Sequence, residues 1–362
     1  MNNILSPNRA VTAVAISGGI DSSVAAFLIK QQGFDCIGVT MKLFEGGENS
    51  GNSGNIEDAG KIAEFLNMPY HVVNLKEAFG AEVIGRFVGG YIRGITPNPC
   101  ADCNKFIKFG RLFQKAEELG CEYIATGHYA QIEYDSVNGA YLLKKGADEK
   151  KDQSYVLYSL SQAQLAHIKF PLGGLTKPEV RRIAEEHNFF NADKKESQDI
   201  CFVENKSGDY TEYSDFIENY MGRTFPPGDF KDTSGNILGR HKGIIRYTTG
   251  QRRGLGLALK QPMYVQSKCA ETNTVILCAD EELYSKSLIA RDINIISGGR
   301  IHGKMKINAK VRYNQKEQPA AAEQTGEDEI RVEFDQPQRA ITKGQAVVLY
   351  DGDIIVGGGK IV

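Results

Sequence analysis

A glycine-rich hexapeptide near the start of the chain constrains the fold more than any other segment. Ser17-Gly18-Gly19-Ile20-Asp21-Ser22 follows an apolar run at 11–16 and precedes a helical pattern at 23–30. A strand, a glycine loop and a helix N-terminus in this order direct backbone N–H groups and two hydroxyls at one place, which favours phosphate binding. The spacing is neither that of the lysine-containing NTPase loop nor that of a dinucleotide fingerprint. The alternative is a plain strand–turn–helix junction in which Asp21 or Ser22 caps the helix.

Strand-like and helical patterns alternate through the first 126 residues. Strands are predicted at 11–16, 36–41, 70–75 and 123–126, and helices at 20–31, 56–67, 77–93 and 104–119. This alternation predicts an α/β fold with a doubly wound parallel sheet. Because ligands bind beyond the carboxyl ends of such strands, we expect Gly18, Met41 and Gly127 to share one edge. Segment 46–55 is rich in Gly, Asn and Ser and is expected to be a mobile loop.

The pattern changes after about residue 207. A helix is predicted at 210–221 and a Pro-Pro-Gly turn at 226–228, and period-two alternation begins at Leu288, with strands at 306–313, 330–334, 346–350 and 354–356. Short alternating strands predict a small barrel or sandwich. We therefore expect a catalytic α/β domain at 1–206, a small central domain at 207–280 and a C-terminal β-barrel at 281–362.

Charge and hydropathy indicate the class of partner. No apolar run approaches the roughly 20 residues that cross a bilayer, and residues 1–10 lack a signal core, so we expect a cytoplasmic protein without membrane contact. The net charge of −2 disfavours a nucleic-acid partner, yet window 240–260 holds six Lys or Arg and no acid. Window 291–312 holds six basic residues against Asp292 alone. Such windows are usually solvated faces, but two of them in one half of the chain favour a polyanion partner.

The cysteines form a second constellation. Seven cysteines in a cytoplasmic chain indicate free thiols, a metal site or redox chemistry. Cys103 is expected just before a helix that begins near residue 104, where Lys105, Lys108 and the helix dipole would stabilise a thiolate nucleophile. Isolated cysteines are more often small buried residues. Cys100, Cys103 and Cys201 supply three of the four ligands that a zinc site needs, could hold a [4Fe–4S] cluster with one open iron, or could include a redox pair for sulfur transfer.

Several further motifs follow the glycine loop in a fixed order. They are Thr96-Pro97-Asn98-Pro99 with Cys103, Ala125-Thr126-Gly127-His128-Tyr129-Ala130, Lys151-Asp152-Gln153-Ser154-Tyr155, Ile200-Cys201-Phe202 and the Gly-, Thr- and Arg-containing run at 243–256. The glycine loop resembles the pyrophosphate (PP) loop of ATP-dependent adenylating enzymes. Together, over 11–362, the motifs resemble the tRNA-specific 2-thiouridylases, a family of the PP-loop superfamily.

The resemblance implies a reaction and a set of site residues. ATP with Mg²⁺ would adenylate the C2 oxygen of the wobble uridine, and a persulfide on Cys201 would supply sulfur, with Cys103 as its nucleophilic partner and a Cys103–Cys201 disulfide or released sulfide as the outcome. The expected ATP contacts are Ala15, Ile16, Ser17, Gly18, Gly19, Ile20, Asp21, Ser22, Met41 and Gly127. The expected tRNA contacts are Asn98, Pro99, Cys100, His128, Lys151, Asp152, Gln153, Arg312, Tyr313 and Gln345. The implied sulfur donor is a cysteine desulfurase or a relay protein.

One departure from the family pattern leaves alternatives open. The family usually carries Asp at the position of Cys100, and Asp102 lies two positions further along. A [4Fe–4S] cluster on Cys100, Cys103 and Cys201 is therefore the alternative sulfur device. A PP-loop ligase or amidase acting on a small metabolite would explain the glycine loop but not the thiols, and a non-catalytic RNA-binding protein would not need both thiols. The basic run near Tyr247 is expected to help clamp the tRNA, and the target uridine is expected to flip out of its stack.

Overall fold

The fold is described from a computed structural model, which covers residues 10–44, 52–194, 200–203, 212–297 and 299–362. A five-stranded, all-parallel sheet of order β3-β2-β1-β4-β7 forms the first layer. The first elements are β1 (Val11–Ala15), α1 (Ile20–Gln31), β2 (Asp35–Lys42), α2 (Asn52–Phe65) and β3 (Tyr70–Asn74). The predicted α/β class is confirmed. Helix α2 begins inside the predicted loop 46–55, whose residues 46–51 lie outside the described part.

Two long helical rods follow β3. The first contains α3 (Lys76–Phe79), a π-helical turn (Gly80–Ile84) and α4 (Gly85–Ile92). The second contains α5 (Pro99–Asp102), a π-helical stretch (Cys103–Leu112) and α6 (Phe113–Glu118), and it leads to β4 (Tyr123–Ala125). The prediction that this rod begins near residue 104 is wrong, because the Asn98 Oδ1 accepts the Ala101 N–H at 3.2 Å and Pro99 fills the first turn.

A hairpin from the first half of the chain joins the C-terminal sheet. Strands β5 (Ala130–Asp135) and β6 (Ala140–Lys145) pair with each other, and β6 pairs with β17. The chain then returns to the parallel sheet through α7 (Gln162–Leu165), β7 (Ile168–Lys169) and α8 (Lys177–Glu186). The hairpin thus links the parallel sheet physically to the end of the chain.

The central segment contains a sheet that the sequence patterns did not predict. It comprises α9 (Glu212–Met221), β8 (Gly228–Asp232), β9 (Ile237–His241), β10 (Tyr264–Cys269) and β11 (Thr274–Cys278), with strand order β10-β11-β8-β9. Buried Phe230 packs edge-on against Tyr247 and His241 at centroid distances of 5.1 and 5.6 Å. Strand β8 carries charged residues at three of its five positions, so it lacks the apolar alternation that marks a half-buried strand.

Six strands close the C-terminal barrel. They are β12 (Tyr284–Ile295), β13 (Met305–Lys310), β14 (Gln318–Gly326), β15 (Glu329–Arg339), β16 (Ala346–Asp351) and β17 (Ile354–Ile361). The order β12-β15-β14-β13-β16-β17 closes through β12–β17 pairing, which confirms the predicted barrel. Strand β14 was missed because alanines, which favour strands weakly, fill its centre. Among the described segments, every helix is too short or too polar to span a bilayer.

Candidate active site

The glycine loop presents an open helix N-terminus. Gly19 is the N-cap of α1 and has no side chain to occupy the N–H groups of the first turn. The Ser22 Oγ instead donates to the Gly19 carbonyl at 2.9 Å and accepts the Ser17 N–H at 3.0 Å. Neither Asp21 nor Ser22 caps α1, so the plain capped junction is wrong. The unoccupied N–H groups and the exposed Ser17 hydroxyl suit a phosphate.

Two glycines allow neighbouring segments to approach this loop closely. Gly18 has φ +73°, and a Cβ there would lie 2.7 Å from the Asn55 carbonyl oxygen. A Cβ on Gly127 would lie 2.9 Å from the Asp21 carbonyl carbon and the Ser22 nitrogen. Since β1, β2 and β4 are parallel neighbours, Gly18, Met41 and Gly127 lie at the carboxyl edge of one sheet, as predicted.

Asp21 is fixed by partners from two distant segments. Its Oδ1 accepts the Tyr129 hydroxyl at 2.7 Å and the Lys177 Nζ at 2.7 Å, and Lys177 is buried. Gln153 holds Tyr129 in turn, since its Oε1 accepts the Tyr129 N–H at 3.1 Å. The ion pair neutralises Asp21, which leaves the loop free of unbalanced negative charge where phosphate would bind.

The sequence analysis missed two residues that donate hydrogen bonds to the backbone of the glycine loop. The Gly18 carbonyl accepts the Asn191 Nδ2 at 3.1 Å and the Lys194 Nζ at 3.2 Å. Lys194 also bonds the Asp58 Oδ2 at 2.8 Å, which ties α2 to the loop. With its carbonyl held on one side, the loop keeps its N–H groups facing the other. No local motif marks Asn191 or Lys194, because the contacts span more than 130 positions.

Three thiols from two distant segments come together beside Lys108. Burial raises the pKa of Cys103, while Lys108 acts to lower it. Burial also raises the pKa of Cys100 and of Cys201, and the neighbouring thiols raise that of Cys201 further. Cys100 and Cys201 are exposed to solvent, whereas Cys103 is half-buried. Cys103 and Cys201 thus lie within range of each other's charge.

Of the three expected causes of thiolate stabilisation at Cys103, the structure supports Lys108 but not the helix N-terminus or Lys105. Cys103 lies beyond the first turn of its helical rod, away from the N–H groups at the start, and Lys105 pairs with Asp292 at 2.9 Å. Lys108 is the lysine that acts on the thiols. The net pKa shift of Cys103 is upward, because burial outweighs the opposing charge of Lys108.

In the described part of the chain, the three thiols do not form a ready site for a single metal ion. Across 10–44, 52–194, 200–203, 212–297 and 299–362, no group of three His, Cys, Asp or Glu side chains is placed to hold a metal ion. Asp102, the acid closest in sequence, is buried and pairs with Lys360 at 3.0 Å. As expected from its offset of two positions, it does not replace the family's usual aspartate.

His128 is buried between the loop and the thiols. Its Nδ1 lies 2.7 Å from the Thr126 Oγ1, and its Nε2 lies 3.3 Å from the Lys108 Nζ. Because an ammonium can only donate, Nε2 must accept and the proton must lie on Nδ1. Burial, with the nearby Lys108 charge, lowers the pKa of His128 well below its ordinary value. His128 is thus a neutral acceptor that positions Lys108.

The remaining predicted tRNA contacts fall into two groups. Asn98 caps a helix, Pro99 is buried, and the Asp152 carboxylate accepts the Gly146 and Ser154 N–H groups. These three residues shape the loops around the thiols. Cys100 lies with the other two thiols near Lys108, and the Lys151 N–H donates to the Asp148 carbonyl at 3.0 Å.

Residues of the barrel supply the second group. Arg312 Nη2 donates to the Ala340 carbonyl at 2.7 Å and to the Thr249 carbonyl at 3.3 Å, which joins the barrel to the central segment. Gln345 Nε2 donates to the Thr96 carbonyl at 2.8 Å. Tyr313 is 38% exposed and lies close enough to Cys100 for the thiol to raise its pKa, although burial is the larger cause. Tyr313 is thus the member of this group that offers a ring to a ligand.

Many cations of the two basic windows are already paired. Arg240 bonds Asp229, Arg246 bonds Asp215 and Glu218, Arg291 bonds Glu329, and Lys304 bonds Glu333. Lys242, Arg252, Arg253 and Lys260 are exposed. The surface available to a polyanion is therefore narrower than the sequence count suggests and centres on 242–260.

Comparisons with known proteins agree along the whole chain. Sequence models match in order: the tRNA methyl transferase HUP domain at 10–205, the tRNA methyl transferase PRC-barrel domain at 214–279 and the Aminomethyltransferase beta-barrel domain at 285–361. The tRNA-specific 2-thiouridylase MnmA of Clostridioides difficile (strain 630) is 48% identical over 356 residues, covering 96% of this chain and 97% of that protein. The tRNA-specific 2-thiouridylase MnmA 1 of Caldanaerobacter subterraneus is 48% identical over 362 residues, covering 98% of each.

Two solved structures align with part of the chain. An NMN synthetase from Francisella tularensis aligns with a TM-score of 0.36 at 17% identity, covering 60% of this chain and 79% of that one. A 4-thiouridine synthetase in an RNA complex with bound ATP aligns with a TM-score of 0.38 at 20% identity, covering 58% and 50%. Likenesses of this size carry no functional argument.

Proposed function

We propose that this chain, which belongs to the tRNA-specific 2-thiouridylase family, replaces the C2 oxygen of the wobble uridine of tRNA with sulfur at the expense of ATP. The observation that carries the proposal is the meeting of Cys103 and Cys201 beside Lys108, next to a loop built for phosphate. Family membership gives the substrate class, and the two features supply the two halves of the reaction.

The first half is adenylation. A carbonyl oxygen is a poor leaving group, so the C2 oxygen attacks the α-phosphorus of ATP, forms an ester with AMP and releases pyrophosphate. The open N–H groups of α1 and the hydroxyl of Ser17 would hold the phosphates, with Gly127 and Met41 completing the edge. Mg²⁺ would be bound mainly through the phosphate oxygens of the nucleotide.

The second half is sulfur transfer. The terminal sulfur of a persulfide on Cys201 attacks C2, and AMP leaves with the former C2 oxygen. The Cys103 thiolate then attacks the Cys201 sulfur, so the base keeps the transferred sulfur as a thiocarbonyl and the cysteines form a disulfide. An external thiol must reduce that disulfide, and a sulfur donor must reload Cys201. In the other route, Cys103 attacks Cys201 first and releases hydrosulfide, which attacks C2.

The chain divides naturally between chemistry and recognition. We assign 1–206 to the catalytic domain, 207–280 to the central domain and 281–362 to the barrel, in line with the order of the three matching sequence models. The exposed cations at 242–260 would meet the tRNA backbone, and Tyr313 beside Cys100 would meet the target base. A base that reaches these thiols must leave its stack.

Nucleoside analysis tests the proposal. Mass spectrometry of tRNA nucleosides from cells lacking this protein should show loss of 2-thiouridine derivatives, restored by the wild-type gene. The masses also distinguish replacement of oxygen by sulfur from addition of a methyl group, the reaction in the names of two matching domain models. Unchanged 2-thiouridine would overturn the proposal and favour a PP-loop ligase acting on a small metabolite. If the protein prepared anaerobically contains iron, and thiolation activity falls in proportion as that iron is lost, the cluster route would be favoured.

A further inference from the structure

The helical rod that carries Cys103 is anchored by the C-terminal barrel. Asp102, directly before Cys103, is 4% exposed and pairs with Lys360 of β17 at 3.0 Å. Lys105, two positions after Cys103, pairs with Asp292 of β12 at 2.9 Å. Lys360 also lies 3.6 Å from Asp292, so the four side chains form one chain of alternating charge. The barrel therefore forms ion pairs with the helical rod on both sides of Cys103.

An irregularity in β12 places Asp292 for these ion pairs. Asp292 has φ +54° and lies where the pairing of β12 with β17 shifts between Arg291 and Asn294. A bulge of this kind re-aims a side chain out of the regular pleat. The Asp328 carboxylate supports it by accepting the Asp292 N–H at 3.1 Å and the Ile293 N–H at 2.9 Å. A strained position held by dedicated partners is typical of functional regions.

A second anchor holds the segment that leads into the rod. The Thr96 N–H donates to the Lys343 carbonyl at 2.9 Å, and the Gln345 Nε2 donates to the Thr96 carbonyl at 2.8 Å. A Cβ on Gly344 would lie 3.0 Å from the Thr96 carbonyl oxygen. The barrel turn at 343–345 thus fixes the chain two residues before the Asn98 cap.

We propose that Lys360 and Asp292 are positioning residues for Cys103, so that the barrel completes the active site in addition to contacting tRNA. The inference rests on the proposed function for its activity readout, but its geometric claim does not. Without Lys360, the buried Asp102 carboxylate loses its ion-pair partner and must move towards water. Cys103, one residue on, would move with it.

The test uses the full chain with four substitutions. Lys360→Met removes the central cation, Lys360→Arg keeps its charge, and Asp292→Asn leaves the Asp102–Lys360 pair in place. Lys304→Met is the matched control, since Lys304 pairs with Glu333 on the exposed barrel surface. Each variant is compared by kcat for tRNA thiolation, KM for ATP, the rate of Cys103 alkylation by iodoacetamide measured by peptide mass spectrometry, and thermal unfolding.

We expect Lys360→Met to lower kcat by roughly tenfold to a hundredfold, the loss that about 1 Å of misplacement causes, with KM for ATP unchanged. Cys103 alkylation should change rate, Lys360→Arg should recover both properties, and Asp292→Asn should show a smaller effect of the same kind. If Lys360→Met does not fold, Asp292→Asn decides. Alkylation and kcat that match those of Lys304→Met would overturn the inference. If wild-type protein does not thiolate tRNA, the proposed function fails, and the alkylation comparison still judges the inference.

Discussion

Replacing Gly127 by alanine tests whether the edge between β4 and the glycine loop determines nucleotide binding. The new Cβ would lie 2.9 Å from the Asp21 carbonyl carbon and the Ser22 nitrogen, where ordinary contact begins at 3.4 Å. The loop backbone must retreat by the difference, about 0.5 Å, because backbone atoms cannot rotate away as a side chain can. Overpacking of this kind costs about 1–3 kcal/mol.

The cost should fall on ATP binding, since the displaced atoms belong to the first turn of α1. Converted at 1.4 kcal/mol per tenfold, 1–3 kcal/mol weakens ATP binding by roughly 5- to 150-fold. The assay is ATP titration calorimetry, with KM for ATP from pyrophosphate release as a second readout. Gly174→Ala is the control, because a Cβ there meets nothing within 4 Å. Equal ATP affinity for Gly127→Ala, Gly174→Ala and wild type would refute the reasoning.

Three further substitutions probe the network around the site. Lys194→Met removes a donor to the Gly18 carbonyl and should raise KM for ATP several-fold. Lys61→Met is its control: Lys61 forms an exposed ion pair with Glu57 on α2, so KM for ATP in the same assay should not change. Arg312→Met breaks the link between barrel and central segment and should raise KM for tRNA more than KM for ATP in steady-state thiolation; equal increases would contradict this role. His128→Gln should reduce the loss of stability at acid pH, measured as the free energy of unfolding in urea.

The sign of the His128 effect follows from proton linkage. Burial in the folded state holds the pKa of His128 well below its ordinary value of 6.5, so the unfolded state binds more protons as the pH falls. The contribution of His128 to the free energy of unfolding is therefore complete above pH 6.5 and decreases below it. Lowering the pH from 7.5 to 5.5 should therefore reduce the free energy of unfolding more in wild type than in His128→Gln. Wild type and His128→Gln with parallel pH profiles would show that His128 is not held neutral.

Local patterns predicted the parts of this fold that local patterns determine. The strand, glycine loop and helix at 11–31 and the alternation of the parallel sheet are encoded by apolar period and by glycine position, and α1 begins and ends where expected. Strands β14 and β8 were missed, because an alanine-rich strand and a charge-rich strand lack the apolar alternation that marks a half-buried strand. The joining of β6 to β17 depends on pairing more than 200 residues apart.

The site shows the same division. Gly18, Met41 and Gly127 were placed together because parallel strands end at a common edge. The partners of Asp102 and Lys105 could not be foreseen, since Lys360 and Asp292 belong to another domain. The expectation of a helix N-terminus at Cys103 failed because proline at the first turn and asparagine at the cap start the rod earlier. Partners that are brought together only by the tertiary fold, such as Lys360 and Asp292, therefore escaped prediction.

The most direct test of the central claim is a reconstituted reaction with unmodified tRNA, ATP, Mg²⁺ and a persulfide donor, followed by digestion and nucleoside mass spectrometry. Wild-type protein should form 2-thiouridine at the wobble position, with one AMP and one pyrophosphate released for each sulfur inserted. Cys103→Ser and Cys201→Ser should bind tRNA normally and form none. If either serine variant makes 2-thiouridine at the wild-type rate, the two-thiol transfer is contradicted.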